Sequence, residues 1–284
     1  MFVNPIYRCL TNTKYGIGQS SNYMPHMTKP ATTLVDESIF DVMLFISWNI
    51  NGLAKRFEEV KQLLDEYAPD FLCLQKVRYN AGRDRFTIDG YHQLFALQDY
   101  GDWSGVSIYA KLDSVTTVMP ERIETPELSL NGHLQAFDCK SFAVINTYVP
   151  FGNNSLEGAV EYRRQWDTAF RIFVKRLSSR IPVIICGDMN IVHTEYDNFE
   201  GKLEQRRPNF RKWERDNFNR LLSECDLMDP FRLLHPTEKK PTYYGAWRDQ
   251  QMGNRIDYFL TSRSLMTGVK DAQILSDFGH AQSV

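Results

Sequence analysis

The chain has 284 residues, of which 43% are hydrophobic and 24% are charged, a composition that excludes a disordered chain and predicts a folded domain. Its 33 basic and 35 acidic residues nearly cancel, which excludes a globally basic nucleic-acid coat but not a local basic groove. No stretch approaches the roughly 18 apolar residues of a membrane span. Five scattered cysteines without a C-x-x-C spacing argue against a disulfide framework or a zinc site and predict a reducing, cytoplasmic location.

Residues 1–42 differ in composition from the rest of the chain. The stretch from Cys9 to Lys29 is rich in Thr, Asn, Ser, Gly, Tyr and Met, has no sustained apolar period and lacks the apolar core of a secretory signal. We therefore expect residues 1–42 to form a disordered extension. Translation that starts at Met43, directly before the first strong strand, is an alternative. The functional domain is predicted over residues 43–284.

Beyond Met43, short apolar runs alternate with amphipathic segments. In chain order, the sequence predicts a strand at Leu44–Trp48, a helix over residues 55–67, a strand at Phe71–Leu74, an antiparallel meander of strands at Val106–Tyr109, Val115–Val118 and Ala136–Phe137, a strand at Phe142–Tyr148, a helix over residues 158–179, a strand at Pro182–Cys186, a helix over residues 214–226, and late strands at Thr242–Tyr244, Ile256–Leu260 and Ala272–Leu275. This order predicts one α/β domain in which two sheets pack face to face.

Polar side chains recur directly after these apolar strands. They are Asn49 and Asn51, Lys76, Tyr148, Asp188 and Asn190, and Asp257 inside the late strand RIDYFL. A single Asn or Asp at a strand end is usually explained by local turn chemistry. Repetition at several strand ends favours a site, because open α/β sheets bind their ligands there.

Five motifs together resemble the exonuclease III / AP endonuclease family of the endonuclease–exonuclease–phosphatase superfamily. They are SWNINGL (47–53), PDFLCLQK (69–76), NTYVP (146–150), CGDMNIVHTEYD (186–197) and NRIDYFL (254–260), and they occur in the family's order. The resemblance covers about 85% of the chain, from Met43 onward. It implies a four-layered α/β sandwich with two mixed β-sheets packed face to face and flanked by helices.

The resemblance implies Mg²⁺- or Mn²⁺-dependent hydrolysis of DNA phosphodiester bonds, 5′ to an abasic site or from a 3′ end, by a monomer without membrane contact. Asn49, Asp188 and Asn190 then correspond to the metal and water region, with Asp188 aligning the water. Tyr148 corresponds to the tyrosine that hydrogen-bonds the scissile phosphate, and Asp257 to the carboxylate that orients a catalytic histidine. Asn51 occupies a position where relatives carry Asp or Asn.

Two departures from the family pattern bear on catalysis. Relatives have LQE where this chain has LQK, so Lys76 replaces a metal-ligating Glu and, having no acceptor, cannot coordinate the ion. Relatives end in S-D-H-x-P-V, whereas this chain ends in SDFGHAQSV, so that His280 lacks its Asp neighbour. Three readings remain open: Lys76 supplies the cation's charge to the phosphate, the fold binds DNA without cutting, or Mg²⁺ binds through Asp188, Asn190 and Asn49.

The predicted DNA contacts form two basic clusters and an aromatic group. The first cluster flanks the site and comprises Lys76, Arg78, Arg83 and Arg85. The second interleaves basic residues with Phe210 and Trp213 and includes Arg207 and Arg211, although a solvated helix face explains it equally well. Tyr244 and Trp247 precede RIDY, where relatives carry aromatics that meet the sugar.

Two other functions remain as alternatives, a catalytically impaired DNA-binding protein and a phosphodiesterase for a small or lipid phosphate. The short SWNINGL–LQK spacing and the H-x-x-x-D after GDMN favour DNA. His193 of this motif is interpreted as a structural histidine of its loop, and no chemistry is assigned to His92 or His235.

Overall fold

The computed structural model of the chain describes residues 6–12, 42–78, 86–96, 105–112, 121–122, 132–198, 207–244 and 253–275. Within these ranges the strands are β1 (Ile6–Asn12), β2 (Val42–Asn49), β3 (Phe71–Gln75), β4 (Tyr91–Ala96), β5 (Val106–Lys111), β6 (Glu121–Arg122), β7 (Leu134–Asp138), β8 (Ala143–Tyr148), β9 (Val183–Asp188), β10 (Leu227–Met228), β11 (Tyr243–Tyr244), β12 (Gly253–Asn254), β13 (Asp257–Ser262) and β14 (Val269–Leu275). The α-helices are α1 (Phe57–Tyr67), α2 (Ala159–Ser178), α3 (Lys212–Glu224) and α4 (Pro230–Leu234).

Two six-stranded mixed sheets form the centre of the described fold. The first has the order β14-β1-β2-β3-β5-β4, and the second has the order β10-β13-β9-β8-β7-β6. Each sheet contains one parallel pair, β2 with β3 and β8 with β9. The strands β11 and β12 form a separate two-stranded hairpin.

The helices α1, α2 and α3 cover the outer faces of the two sheets. Alternate residues of β2 explain this layering, because Phe45 packs between the sheets while Ile46 packs outward with Val60 and Leu63 of α1. On the far side, α2 and α3 place Phe170 and other apolar residues against the outer face of the second sheet. Burial on both faces explains why the central strands read as continuous apolar runs. The predicted four-layered α/β sandwich is confirmed.

The structure corrects several predicted elements. The expected disordered extension over residues 1–42 is wrong for Ile6–Asn12, which pairs antiparallel with both β2 and β14. The predicted meander is also wrong, because β5 pairs with β3 and β4 in the first sheet while β7 pairs with β8 in the second. Long-range pairing decides both cases, and a local apolar pattern does not contain it. The strand β4 and the short helix α4 were not predicted, and Val115–Val118 lies outside the described residues.

The two central strands of the second sheet approach each other closely at Gly187, one residue before the end of β9. Gly187 has φ +134°, and a Cβ atom there would lie 1.9 Å from the Thr147 carbonyl oxygen of β8. Only glycine permits this approach, which sets the relative position of Tyr148 and Asp188 at the ends of the two strands.

We expect Gly187→Ala to lower the free energy of unfolding by about 3 kcal/mol or more, because the added methyl group must push β8 and β9 apart. The matched control is Gly90→Ala, which also has a positive φ (+80°) but has no atom within 4 Å of the new Cβ. That control carries only the backbone strain of about 1 kcal/mol. Urea denaturation of both variants measures the difference, and equal losses would contradict the close-approach explanation.

Candidate active site

The polar residues predicted from the strand ends continue the inner faces of the two sheets. In β2 the inner positions run from apolar Phe45 to Ser47 and Asn49, and in β9 they run from Cys186 to Asp188. Tyr148 and Asp257 stand beside Asp188 in register on the neighbouring strands β8 and β13. The structure therefore brings these strand ends together at one edge of the space between the sheets.

Asp188 is the centre of this cluster. Its side chain is fully buried, and its Oδ2 atom accepts a hydrogen bond of 2.8 Å from Nδ2 of Asn49 in the opposite sheet. Its Oδ1 atom accepts a hydrogen bond of 2.9 Å from the backbone N–H of Asn190. A buried carboxylate of this kind needs hydrogen bonds and a counter-charge to remain ionised.

Lys76 supplies that counter-charge. Its Nζ atom lies 3.2 Å from Oδ2 of Asp188 and 4.7 Å from the centre of the Tyr148 ring. Burial alone would lower the pKa of the Lys76 ammonium, but the Asp188 charge raises it above its ordinary value. Lys76 is therefore charged at neutral pH.

The Lys76 backbone is in the left-handed region, with φ 53°, as are Asn51 (φ 54°) and Arg78 (φ 49°) in the same pair of loops. The loops that follow β2 and β3 are joined by hydrogen bonds from Gly52 N–H to the Lys76 carbonyl (2.8 Å) and from Leu53 N–H to the Val77 carbonyl (3.0 Å). These bonds hold a conformation that costs a non-glycine residue about 1 kcal/mol, and strain of this kind is characteristic of functional sites.

Tyr148 presents a protonated phenol beside this ion pair. Burial and the nearby Asp188 charge raise the pKa of the Tyr148 hydroxyl, against the opposing effect of the Lys76 charge. The His133 ring stacks on the Tyr148 ring with their centres 5.2 Å apart, and its Nδ1 atom lies 2.6 Å from the Tyr148 carbonyl oxygen. Burial lowers the pKa of His133, so its ring is neutral. Sequence reasoning missed His133, which carries no signal besides its type.

Asn190 takes a different position from the one expected. If the backbone were extended, Asn190 would point the same way as Asp188, but its φ is 47° and its Nδ2 atom donates to the Val149 carbonyl over 2.7 Å. Its side chain therefore joins the loops after β8 and β9, and its backbone N–H is the group that contacts Asp188.

Asp257 provides a second buried carboxylate. Burial followed by the Asp188 charge raises its pKa well above the ordinary value, against the opposing effects of Thr242 and of the Lys76 charge. Its backbone N–H donates to the Thr242 hydroxyl over 3.0 Å. His280, the candidate for the catalytic histidine, lies outside the described residues.

A buried amide network lies one layer below these strand ends and was also missed. Nε2 of Gln75 in β3 donates to Oδ1 of Asn146 in β8 over 2.8 Å, and Nδ2 of Asn146 donates to the Ser107 carbonyl over 2.9 Å. The signal was present in the sequence, since a Gln and an Asn interrupt the apolar runs FLCLQ and AVINTY. Buried amides are expensive unless paired, so two of them indicate a connection between the sheets.

Arg163 of α2 fixes the loops that carry the site. Its guanidinium donates to the carbonyls of Pro150 (2.9 Å), Met189 (3.2 Å) and Asn190 (3.3 Å), and its Nε atom bonds Asp167 at 2.7 Å. It therefore joins the loop after β8 to the loop after β9 from behind.

A second buried arginine, Arg255, holds the segment before β13. It bonds Asp197 (2.7 Å) and Asp229 (2.6 Å), and Arg232 also contacts Asp197. Burial alone would raise the pKa of Asp197, but the two arginines lower it to about 2. Asp197, the last residue of the H-x-x-x-D motif, therefore has a structural role. The motif's His193 contacts Asn219 and stacks edge-on against Phe218.

The predicted DNA-contacting residues are only partly brought together. Asn51 and Arg78 lie in the paired loops beside Lys76, and Arg78 is close enough for its charge to affect Tyr148. Arg207 is exposed. Tyr244 lies in the hairpin next to Thr242, whereas Arg83, Arg85 and Trp247 lie outside the described residues.

Arg211 does not suit the predicted contact with DNA. Its side chain is buried, where it bonds Glu214 at 2.8 Å and the Gly152 carbonyl at 2.7 Å. It therefore belongs to the packing at the start of α3, because a groove contact would need an exposed guanidinium.

Comparison with known proteins identifies the fold. The sequence matches the Endonuclease/Exonuclease/phosphatase family over residues 46–278. It is 30% identical over 241 residues to an exodeoxyribonuclease of Bacillus subtilis, which covers 83% of this chain and 94% of that protein. The chain belongs to the endonuclease/exonuclease/phosphatase family.

Two further family comparisons agree. The chain is 31% identical over 244 residues to the DNA repair nuclease APEX1 of Danio rerio, covering 82% of this chain and 77% of that protein. The solved structure of the 3′-5′ exonuclease NExo from Neisseria meningitidis aligns with a TM-score of 0.68 and 26% identity, covering 79% of this chain and 89% of that chain.

The residues at this edge do not fit the divalent metal that the resemblance to exonuclease III implies. Mg²⁺ prefers about six oxygen ligands, several of them anionic. Here the ammonium of Lys76 and the amide of Asn49 already occupy Oδ2 of Asp188. Among the described residues no group of three or more His, Cys, Asp or Glu side chains could hold a metal ion.

No helix within the described ranges has the length and apolar character to cross a membrane.

We expect Arg163→Met to lower the free energy of unfolding by about 3–5 kcal/mol, because Asp167 and the loop carbonyls lose a buried partner. The neighbouring Arg164→Met is the control, since Arg164 is exposed and only stacks on Trp213 at 3.9 Å. It should cost no more than about 1 kcal/mol. Chemical denaturation measures the free energy of unfolding of both variants. A similar loss in both would contradict the conclusion that Arg163 stabilises the two loops.

The Asp197 network predicts a pH dependence of stability. Because the folded pKa is about 2 against an ordinary 3.8, the ionised Asp197 stabilises the fold above pH 4, and this contribution of about 2 kcal/mol disappears as the pH falls through 2. The stability difference between the parent and Asp197→Asn should therefore shrink by that amount between pH 5 and pH 2. The control Asp226→Asn removes an exposed pair with Arg263 and should show no such trend. A pH-independent difference for Asp197→Asn would contradict this explanation.

Proposed function

We propose that this protein is a DNA phosphodiesterase of the exonuclease III / AP endonuclease type, acting on an abasic-site duplex or on a DNA 3′ end at the Asp188 cluster. The observation that carries this proposal is the meeting of Asp188, Asn49, Lys76 and Tyr148 at the joined strand ends of both sheets. Relatives whose names state exodeoxyribonuclease and DNA repair nuclease activity support DNA as the substrate.

The chemistry of the cluster suits a phosphate diester. In hydrolysis, the oxygen of a water molecule forms a bond to phosphorus, the bond from phosphorus to the departing sugar oxygen breaks, and the water's proton ends on a base while the sugar oxygen gains one. Asp188 can orient the water and take its proton, because an ionised carboxylate has about four acceptor positions and the contacts here use three. Lys76 and Tyr148 can donate to the phosphate oxygens, on which negative charge develops.

The Lys76–Asp188 contact also supports a second candidate, a protein that binds DNA without cutting it. An ammonium at 3.2 Å occupies Oδ2 of Asp188, so this oxygen is less available to accept a proton from water. The two candidates share the same groove and differ in whether bond cleavage follows binding. We further expect a monomer that acts in the cytoplasm.

Cleavage of a duplex with one abasic-site analogue and of a duplex with a recessed 3′ end tests the proposal, with Mg²⁺, Mn²⁺ or EDTA present. We expect Asp188→Asn to slow cleavage by about 10²- to 10³-fold, since an amide cannot take the water's proton while the groove is retained. The control Asp226→Asn changes an exposed residue and should retain the parent rate.

Each outcome has a separate meaning. Equal cleavage by the parent and Asp188→Asn would place the chemistry elsewhere and refute the site. No cleavage by the parent, together with DNA binding that weakens steeply with salt, would establish the binding protein instead. A flat salt response without cleavage would favour the small or lipid phosphate alternative.

A further inference from the structure

We propose that the Lys76 ammonium is the resident cation of this site, meaning that it binds the substrate phosphate in place of a divalent metal ion. The identity of the substrate rests on the proposed function, but the replacement of the metal by Lys76 does not.

The contacts of Lys76 place its charge where a bound cation would be needed. Nζ lies 3.2 Å from Oδ2 of Asp188, the oxygen that also accepts from Asn49 across the two sheets. It also lies 4.7 Å from the Tyr148 ring, so the ammonium is shared between an anion and an aromatic face. A metal ion on the same carboxylate oxygen would face this positive charge at close range.

The difference in exposure between Asp188 and Lys76 shows which side of the ammonium faces solvent. Asp188 is fully buried, whereas the Lys76 side chain retains 19% of its exposure. An ammonium has three N–H donors, and its contacts with Asp188 and the Tyr148 hydroxyl use two of them. The outward side of Lys76 can therefore donate to an arriving phosphate oxygen while the inward side remains on Asp188.

The backbone holds this arrangement before any ligand arrives. Lys76 has φ 53° and its carbonyl accepts the Gly52 N–H, which joins it to the loop that follows Asn49. These backbone hydrogen bonds fix the main chain of Lys76, and the contact with Asp188 orients its side chain.

Calorimetric titration with Mn²⁺ tests the replacement without any DNA. The parent should show no one-to-one binding up to millimolar Mn²⁺, whereas Lys76→Glu, which adds a carboxylate and removes the competing charge, should bind one ion. One-to-one binding by the parent that is lost in Asp188→Asn would overturn the proposal. Failure of Lys76→Glu to bind more tightly than the parent would also overturn it.

Binding of an abasic-analogue duplex in EDTA tests the contact with phosphate. We expect Lys76→Met to bind at least tenfold more weakly than the parent and to reduce the slope of the salt dependence by about one. Lys175→Met removes an exposed lysine on α2 and is the matched control, expected to bind like the parent. Lys76→Arg should stay within threefold of the parent, which protects the test if the methionine variant fails to fold.

The results separate the two proposals. Tight binding by the parent in Mg²⁺ but not in EDTA would refute the resident cation while leaving the proposed function intact. Absence of DNA binding in both conditions would refute the proposed function, and the Mn²⁺ titration alone would then decide whether Lys76 replaces the metal.

Discussion

The site depends on keeping one carboxylate ionised between two sheets. Asp188 is fully buried, and its charge is stabilised by an amide from the opposite sheet, a backbone N–H from its own loop and the Lys76 ammonium. Removing a charge from water is costly unless such partners are present. Most of the nearby architecture can be understood as fixing the distances among these few groups, from the close approach at Gly187 to the Arg163 brace behind the loops.

Much of the fold and the central residues of the site could be predicted from sequence. Strands that are buried on both faces appear in the sequence as continuous apolar runs, so β2, β3, β8 and β9 could be predicted. The polar residues at or directly after their ends were the candidate site residues Asn49, Lys76, Tyr148 and Asp188. Their placement on inner faces follows from the two-residue period of a strand. The fold and the meeting of these residues at one edge of the sheets could be predicted because a local pattern carries that structural information; their roles stay a prediction.

The errors arise where distant contacts decide. The strand β1 has no distinctive pattern, yet hydrogen bonds to β2 and β14 on both sides hold it in the sheet. Because the backbone of Asn190 is left-handed, its side-chain amide donates to the Val149 carbonyl and does not point the same way as Asp188. Arg211 is buried because it bonds Glu214, so it is not exposed for a contact with DNA. Gln75 and Asn146 could have been found, because a buried amide inside an apolar strand needs a partner from another strand.

In its proposed role, Lys76 would separate two properties that a metal ion combines. A divalent ion both attracts the phosphate and stabilises the charge that develops during hydrolysis, and it can also acidify a bound water. An ammonium carries one charge, is already attached to the protein and offers hydrogen bonds in place of open coordination positions. Such a group can bind a phosphate well while contributing less to bond cleavage. Because Lys76 also occupies Oδ2 of Asp188, the contact proposed to replace the metal in phosphate binding takes an acceptor position from the carboxylate that hydrolysis would need as a base.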